Sequence, residues 1–185
     1  RLMTADSKVT VSVKPGTRST TRELLDIALP MVVSQGSFAV MVFCDRLFLS
    51  LLGPEYMAAA MAGGVSAFFT CALFTGTLSY ANALTAQYYG RGDRHKCPRV
   101  GFHGWLMAFA SLPVILVAAT GVYWLFGRVG HEQAQLVLER SYYQVLITGA
   151  IFLLLKTVTG SYFAGIGQTR VVMVADVAGV CLNIP

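Results

Sequence analysis

The sequence predicts an all-α membrane protein, a polytopic bundle of transmembrane helices. Three observations carry that prediction. Of the 185 residues 55% are apolar and only 12% are charged, about half the charged share of an ordinary soluble domain. Several apolar runs reach or exceed the ~20 residues that cross a ~30 Å hydrocarbon core. The connecting segments alternate between rich and poor in Lys and Arg, as they do when successive turns lie on opposite sides of a bilayer.

Taken in order, residues 1–20 are polar, with Lys8, Lys14 and Arg18, and read as a flexible cytoplasmic tail. Thr20 followed by Glu23 is a capping-box pattern that starts a helix near Thr21. The first span covers about 28–52. Pro30 is either a kink-forming hinge inside that helix or its first residue. Gly53, Pro54 and Glu55 turn the chain into a second span of about 57–86, where Ala59 with Gly63 and Ala60 with Gly64 place small residues one turn apart for close helix approach. Gln87 to Arg99 reads as a charged turn. Its GRGD lacks the preceding strand of a phosphate-binding loop, and His95 with Cys97 supplies too few ligands for a metal. The third span, about 101–126, has Trp105 and Trp124 near its ends and Pro113 at its middle. Gly127 to Arg140 is a polar connector with room for a short helix. The fourth span covers about 141–164, Gly165 to Arg170 makes a tight turn, and a fifth span runs over 171–185. Because the sequence stops inside that apolar run, it reads as a piece of a longer chain.

These features narrow the function classes. The formal charge of +5 is spread over separate loops with no basic stripe, which argues against a nucleic-acid partner. Cys44, Cys71, Cys97 and Cys181 show no paired spacing, so no disulfide framework is expected. An enzyme would need a cluster of catalytic groups, and no His lies deep in a span beside a nucleophile. Arg1, Lys8, Lys14, Arg18, Arg22, Arg91, Arg94, Lys96, Arg99 and Arg170 fall on one side, ten in all, against Arg128 and Arg140 on the other. The basic side, and the N-terminus with it, is predicted to be cytoplasmic.

Polar groups inside the spans mark candidate sites, because an intramembrane charge is costly and is functional by default. Asp45 lies ~11 Å from the outer end of span one at ~1.5 Å per residue, and Asn183 on span five comes to a similar depth. A carboxylate and an amide at one level can hold a proton or, with further oxygens, a hard cation. The plainer alternative is that Asp45 pairs with its neighbour Arg46. Lys156 and Asp176 lie at one depth nearer the cytoplasmic side and are expected to form a structural intramembrane ion pair; otherwise Lys156 snorkels independently.

Several stretches taken together resemble the multidrug and toxic compound extrusion (MATE) transporters. They are Ala28-Leu29-Pro30 with Asp45 fifteen residues after the proline and Leu52-Gly53 beyond, AQYYGRGD over Ala86 to Asp93, the GIGQTR turn, and Leu182-Asn183-Ile184. The resemblance covers about 22–185. It implies a twelve-helix, two-lobed antiporter of which 21–185 form five of the six helices of the N-terminal lobe, truncated within the fifth, with the second lobe absent. It further implies export of organic, often cationic, small molecules in exchange for H⁺ or Na⁺, no other cofactor, a cell membrane location with the bilayer as partner, and cation- or proton-binding roles for Asp45 and Asn183. The family residue that separates its branches would fall at position 187, so the coupling ion stays open. Lys156 and Asp176 match no motif of the family. A flippase for lipid-linked oligosaccharides from a related branch, or a non-transporting membrane assembly subunit, are the competing readings. The first would call for several basic residues in the membrane, where only Arg46 and Lys156 are found.

Overall fold

A computed structural model describes residues 20–128, 130 and 132–183; residues 1–19 of the predicted 1–20 tail and the last two residues lie outside them, and Thr20 belongs to the first helix instead. All regular structure among the described residues is helical. The helices are α1 (Thr20–Leu52), α2 (Pro54–Ser79), α3 (Ala81–Gly90), α4 (Cys97–Phe126), α5 (Gln133–Thr148), α6 (Ala150–Gly165) and α7 (Thr169–Asn183), with a 3₁₀ turn at Arg94–Lys96 before α4. By length and composition Leu24–Leu52, Pro54–Gly90 and Arg94–Phe126 can each cross a membrane. So can α5 and α6 taken as one span bent by 43°.

The start of α1 at Thr20 decides between the two placements of Pro30, which sits ten residues inside the helix. A proline there removes one backbone hydrogen bond and weakens the helix at that turn. Gly53 then adopts φ 140°, a backbone region open to glycine alone, and Pro54 opens α2 with its preset φ. The second span is longer than its apolar run suggests. It continues through Gln87 to Gly90, so the charged turn is confined to residues 91–93. At Tyr80 the N–H bonds Thr77 O at 3.2 Å, a tightened turn that separates α2 from α3. Likewise the first two turns of α5, Gln133 to Arg140, come from the stretch read as a polar connector. They are helical because their apolar face is used: Leu136 is buried while Val137 faces outward.

The core belongs to four helices. Ala67, Cys71 and Leu78 of α2 meet Ala108, Ile115 and Phe126 of α4, Tyr143 and Ile147 of α5, and Leu154 and Val158 of α6. Small residues set the spacing. A Cβ on Gly63 would lie 3.2 Å from Glu139 O and 3.3 Å from Tyr143 N, and one on Gly165 would lie 2.8 Å from Asn82 O. The backbones of α2 and α5, and of α3 and α6, therefore touch where glycine allows it. Tyr143 completes its burial with a 3.0 Å hydrogen bond to Thr70 Oγ1 and an edge contact to Phe126. Helices α1 and α7 contribute no described residue to this cluster and pack chiefly on each other. Large apolar side chains such as Leu51, Phe69, Leu73 and Val117 point outward, the pattern of helices whose solvent is hydrocarbon.

Candidate functional site

The candidate residues gather where α1 and α7 run side by side against α6. On α1, Ser34, Phe38, Met41 and Asp45 recur every three or four residues and so share one face. On α7, Asp176 and Asn183 are seven residues apart and share a face in the same way. Ser34 is buried, and its Oγ donates a hydrogen bond to Asp176 Oδ2. The second carboxylate oxygen, Oδ1, accepts from Lys156 Nζ of α6 at 2.9 Å. Three helices thus meet on one carboxylate, four residues beyond the hinge proline. The two charged groups differ sharply in setting, since the Asp176 side chain is 14% exposed and that of Lys156 60%.

Two crevices open on either side of this contact. One, of about 510 Å³, lies between α1, the α2–α3 junction, α6 and α7 and includes Ser34, Asn82, Lys156 and Asp176 in its walls. The other, of about 350 Å³, is lined by Phe38, Met41, Lys156, Asp176 and Asn183. Lys156 and Asp176 border both.

The Ser34–Asp176 bond and the Phe38–Met41–Asn183 crevice fix a parallel register between α1 and α7. Seven residues beyond Asp176, Asn183 arrives level with Met41. Asp45 then sits one further turn along α1, about 6 Å beyond. Depth counted from the span ends puts Asp45 and Asn183 at one level, whereas the packed helices leave a turn between them, because the two counts start from different membrane faces. No hydrogen bond joins the two side chains among the described residues; both are exposed in the structure. Asp45 does not pair with Arg46 either. The Arg46 guanidinium reaches α2, where a Cβ on Gly64 would lie 3.5 Å from its Nη2, and its buried Nη1 has no hydrogen-bond partner among the described residues.

Sequence reasoning missed Ser34, the third member of the Asp176 contact. The available signal was a hydroxyl one turn after a proline, placed to face whatever packs there. It also missed Glu139, which is fully buried on α5 and accepts from Gln135 Nε2 at 2.9 Å. At the opposite end of the bundle the turn after α3 is ordered by Asp93, whose carboxylate accepts from Lys96 Nζ at 2.9 Å. That bond and the Lys96 charge hold the Asp93 carboxyl below the usual carboxylate range. His95 and Cys97 flank the turn without forming a ligand set. Among the described residues no three His, Cys, Asp or Glu side chains converge.

Comparison with known proteins decides the family. The MatE family model matches residues 30–185. The chain belongs to the MatE family. Its similar proteins include "Probable multidrug resistance protein NorM" of Synechococcus, 26% identical over 90% of the chain, and "Multidrug resistance protein MdtK" of Klebsiella pneumoniae, 29% identical over 89%. "Multidrug resistance protein PmpM" of Pseudomonas aeruginosa is 28% identical over 91%. The MatE chain spans 36%, 36% and 35% of the length of these three relatives. A solved MOP superfamily transporter from Pyrococcus furiosus superposes with a TM-score of 0.71 at 19% identity, covering 87% of the MatE chain and 36% of its own. That likeness confirms the helical fold of this MatE chain.

Proposed function

We propose that this chain is most of the N-terminal lobe of a secondary antiporter that exports organic, often cationic, compounds in exchange for H⁺ or Na⁺, with Asp45 as the ion-binding carboxylate. The observation that carries the reading is the position of Asp45. It continues the α1 face that holds Ser34, Phe38 and Met41 against α7, yet it has no ion-pair or hydrogen-bond partner among the described residues. A carboxylate left unpaired in a membrane span favours whatever neutralises it, a proton or a cation. Asn183, one turn below, offers an amide oxygen to an ion bound between the two levels. Ion binding at Asp45 could bias α1 between two conformations, with Pro30 as the bending point. The multidrug names of the relatives support organic substrates.

Efflux of a fluorescent cation from energised vesicles tests this in the full-length protein. Asp45→Asn is expected to abolish gradient-driven efflux at equal protein level. An unchanged rate with unchanged pH and Na⁺ dependence would leave Asp45 without a coupling role. The ten-to-two basic asymmetry supports a cytoplasmic N-terminus at the cell membrane. Cysteines placed in the 127–140 segment should then react with an impermeant reagent from outside only.

A further inference from the structure

The basic end of the bundle holds a crevice that the exporter reading does not use. It has a volume of about 570 Å³ and lies between the α2–α3 span and the start of α4. From Tyr88 back to Leu78 one wall runs about 15 Å at ~1.5 Å per residue, and from Lys96 to Met107 the other runs about as far. That is half of a ~30 Å hydrocarbon core, the depth of one leaflet. Polarity changes along this length. Lys96 and Arg99 stand at the loop end with His103 a turn further, while Leu78, Leu84, Val100 and Met107 carry the walls inward. Tyr80 is 58% and Met107 51% exposed, so the apolar part opens sideways at the level of hydrocarbon.

Charge at the loop end is one-sided. Residues 91–99 carry Arg91, Arg94, Lys96 and Arg99 against the single carboxylate of Asp93, which Lys96 already meets at 2.9 Å. The Arg99 guanidinium has no acidic partner among the described residues. His103 Nδ1 donates to Arg99 O at 2.6 Å, which orients the ring and leaves Nε2 unused among the described residues. Among those residues no Asp or Glu lines the crevice.

We infer that this crevice seats an anionic phospholipid, its phosphate received by Arg99 and Lys96 and one acyl chain lying along Leu84, Val100 and Met107. A guanidinium presents paired N–H donors that match phosphate oxygens, and such charge-assisted bonds are shorter and stronger than neutral ones. Lys96, held at the mouth by Asp93 and 5.6 Å from the Tyr88 ring centroid, adds a point charge. A soluble phosphate would leave the apolar length unfilled, and a hydrocarbon chain alone would leave the cations unmatched. A choline lipid has the same phosphate but brings a further cation among four basic side chains. Basic pockets of this kind, between membrane helices on the cytoplasmic side, hold anionic headgroups. The crevice shares no residue with the Asp45 face or the Lys156–Asp176 contact, so the inference stands whether or not Asp45 couples transport.

Native mass spectrometry of the full-length protein tests it. Delipidated protein in detergent receives equal amounts of dioleoyl phosphatidylglycerol and dioleoyl phosphatidylcholine, and the bound lipids are counted. Wild type should retain phosphatidylglycerol in preference. Arg99→Gln should cut that preference about fivefold, the worth of one basic side chain at a charged headgroup. Arg128→Gln, the same loss of charge at the opposite end of α4, should leave it unchanged. Leu84→Trp fills the apolar length, keeps every charge and should lose the bound phosphatidylglycerol; where one of these crevice variants fails to fold, the other carries the test. An equal preference in wild type and Arg99→Gln overturns the inference, and is the result expected if the rest of the full-length chain fills the crevice. Equal losses in Arg99→Gln and Arg128→Gln would mean a diffuse surface attraction and overturn it as well. Displacement of the bound lipid by glycerol phosphate at equal concentration would assign the cations to a soluble phosphate and overturn the lipid class.

Discussion

Breaking the Lys156–Asp176 pair should have unequal costs from its two ends. At 2.9 Å two unit charges attract by about 1.4 kcal/mol in water and about 6 kcal/mol at an effective dielectric of 20, before desolvation is subtracted. Exposed pairs net about 0.2–1 kcal/mol. Stranding one member of a fully buried pair costs about 3–5 kcal/mol. The pair here straddles those limits, with Asp176 14% and Lys156 60% exposed. Lys156→Met strands the largely covered carboxylate with Ser34 as its one remaining partner among the described residues, and should cost about 2–3 kcal/mol. Asp176→Asn strands an ammonium that already reaches the surface on a flexible stem, and should cost about 1 kcal/mol or less. The double variant leaves no stranded charge and should cost less than Lys156→Met alone, giving a coupling of about 1–2 kcal/mol. Thermal unfolding of the full-length protein in detergent, without ligand, measures all three. Additive effects, or a larger loss from Asp176→Asn, would refute this account of the pair.

Gly165→Ala should destabilise the bundle by about 1–3 kcal/mol, because its Cβ would meet the backbone Asn82 O at 2.8 Å and Thr85 Cβ at 2.7 Å; Gly121→Ala, with nothing within 4 Å, should be neutral or slightly stabilising in the same melt. The turn at Asp93 should loosen in acid. Its folded carboxyl is held below the ordinary value by Lys96, so its contribution is full above the unfolded carboxylate pKa and is lost as pH falls through the lower folded value. Amide exchange of residues 91–96 against pH, with Asp93→Asn as the acid mimic, reads that loss.

Most of the fold was legible because the bilayer imposes a length and a polarity on every span. The first and third spans and the Gly165 to Arg170 turn follow directly from apolar run and breaker residues. The second and fourth spans were read short for one reason. Both continue into polar residues, Gln87 to Gly90 and Gln133 to Arg140, which hydropathy counts as loop but which form helix when one face is packed. The break at Tyr80 has no proline or glycine at its centre; Thr75, Thr77 and Ser79 just before it bond back to the backbone at Ala72, Leu73 and Gly76, which loosens a helix. In the candidate site, the shared depth of Lys156 and Asp176 could be counted along two consecutive spans joined by a short turn. Asp45 and Asn183 could not be aligned that way, because their relative height depends on how α1 docks on α7. The Ser34–Asp176 bond sets that docking, and its two residues are 142 positions apart.

That separation has a consequence for how the chain is made. Ribosomes add roughly 5–20 residues per second, so α1 would wait some 7–28 s in the bilayer before Asp176 emerges. Within that interval α2, α4, α5 and α6 are made in turn, and together they supply the elements of a core to which α1 adds no described residue. Helix α1, made before the four core helices, is thus among the last to dock. Any chain ending before Asp176 would leave Ser34 and the Asp45 face open to lipid or to quality control, however well its four-helix centre had assembled.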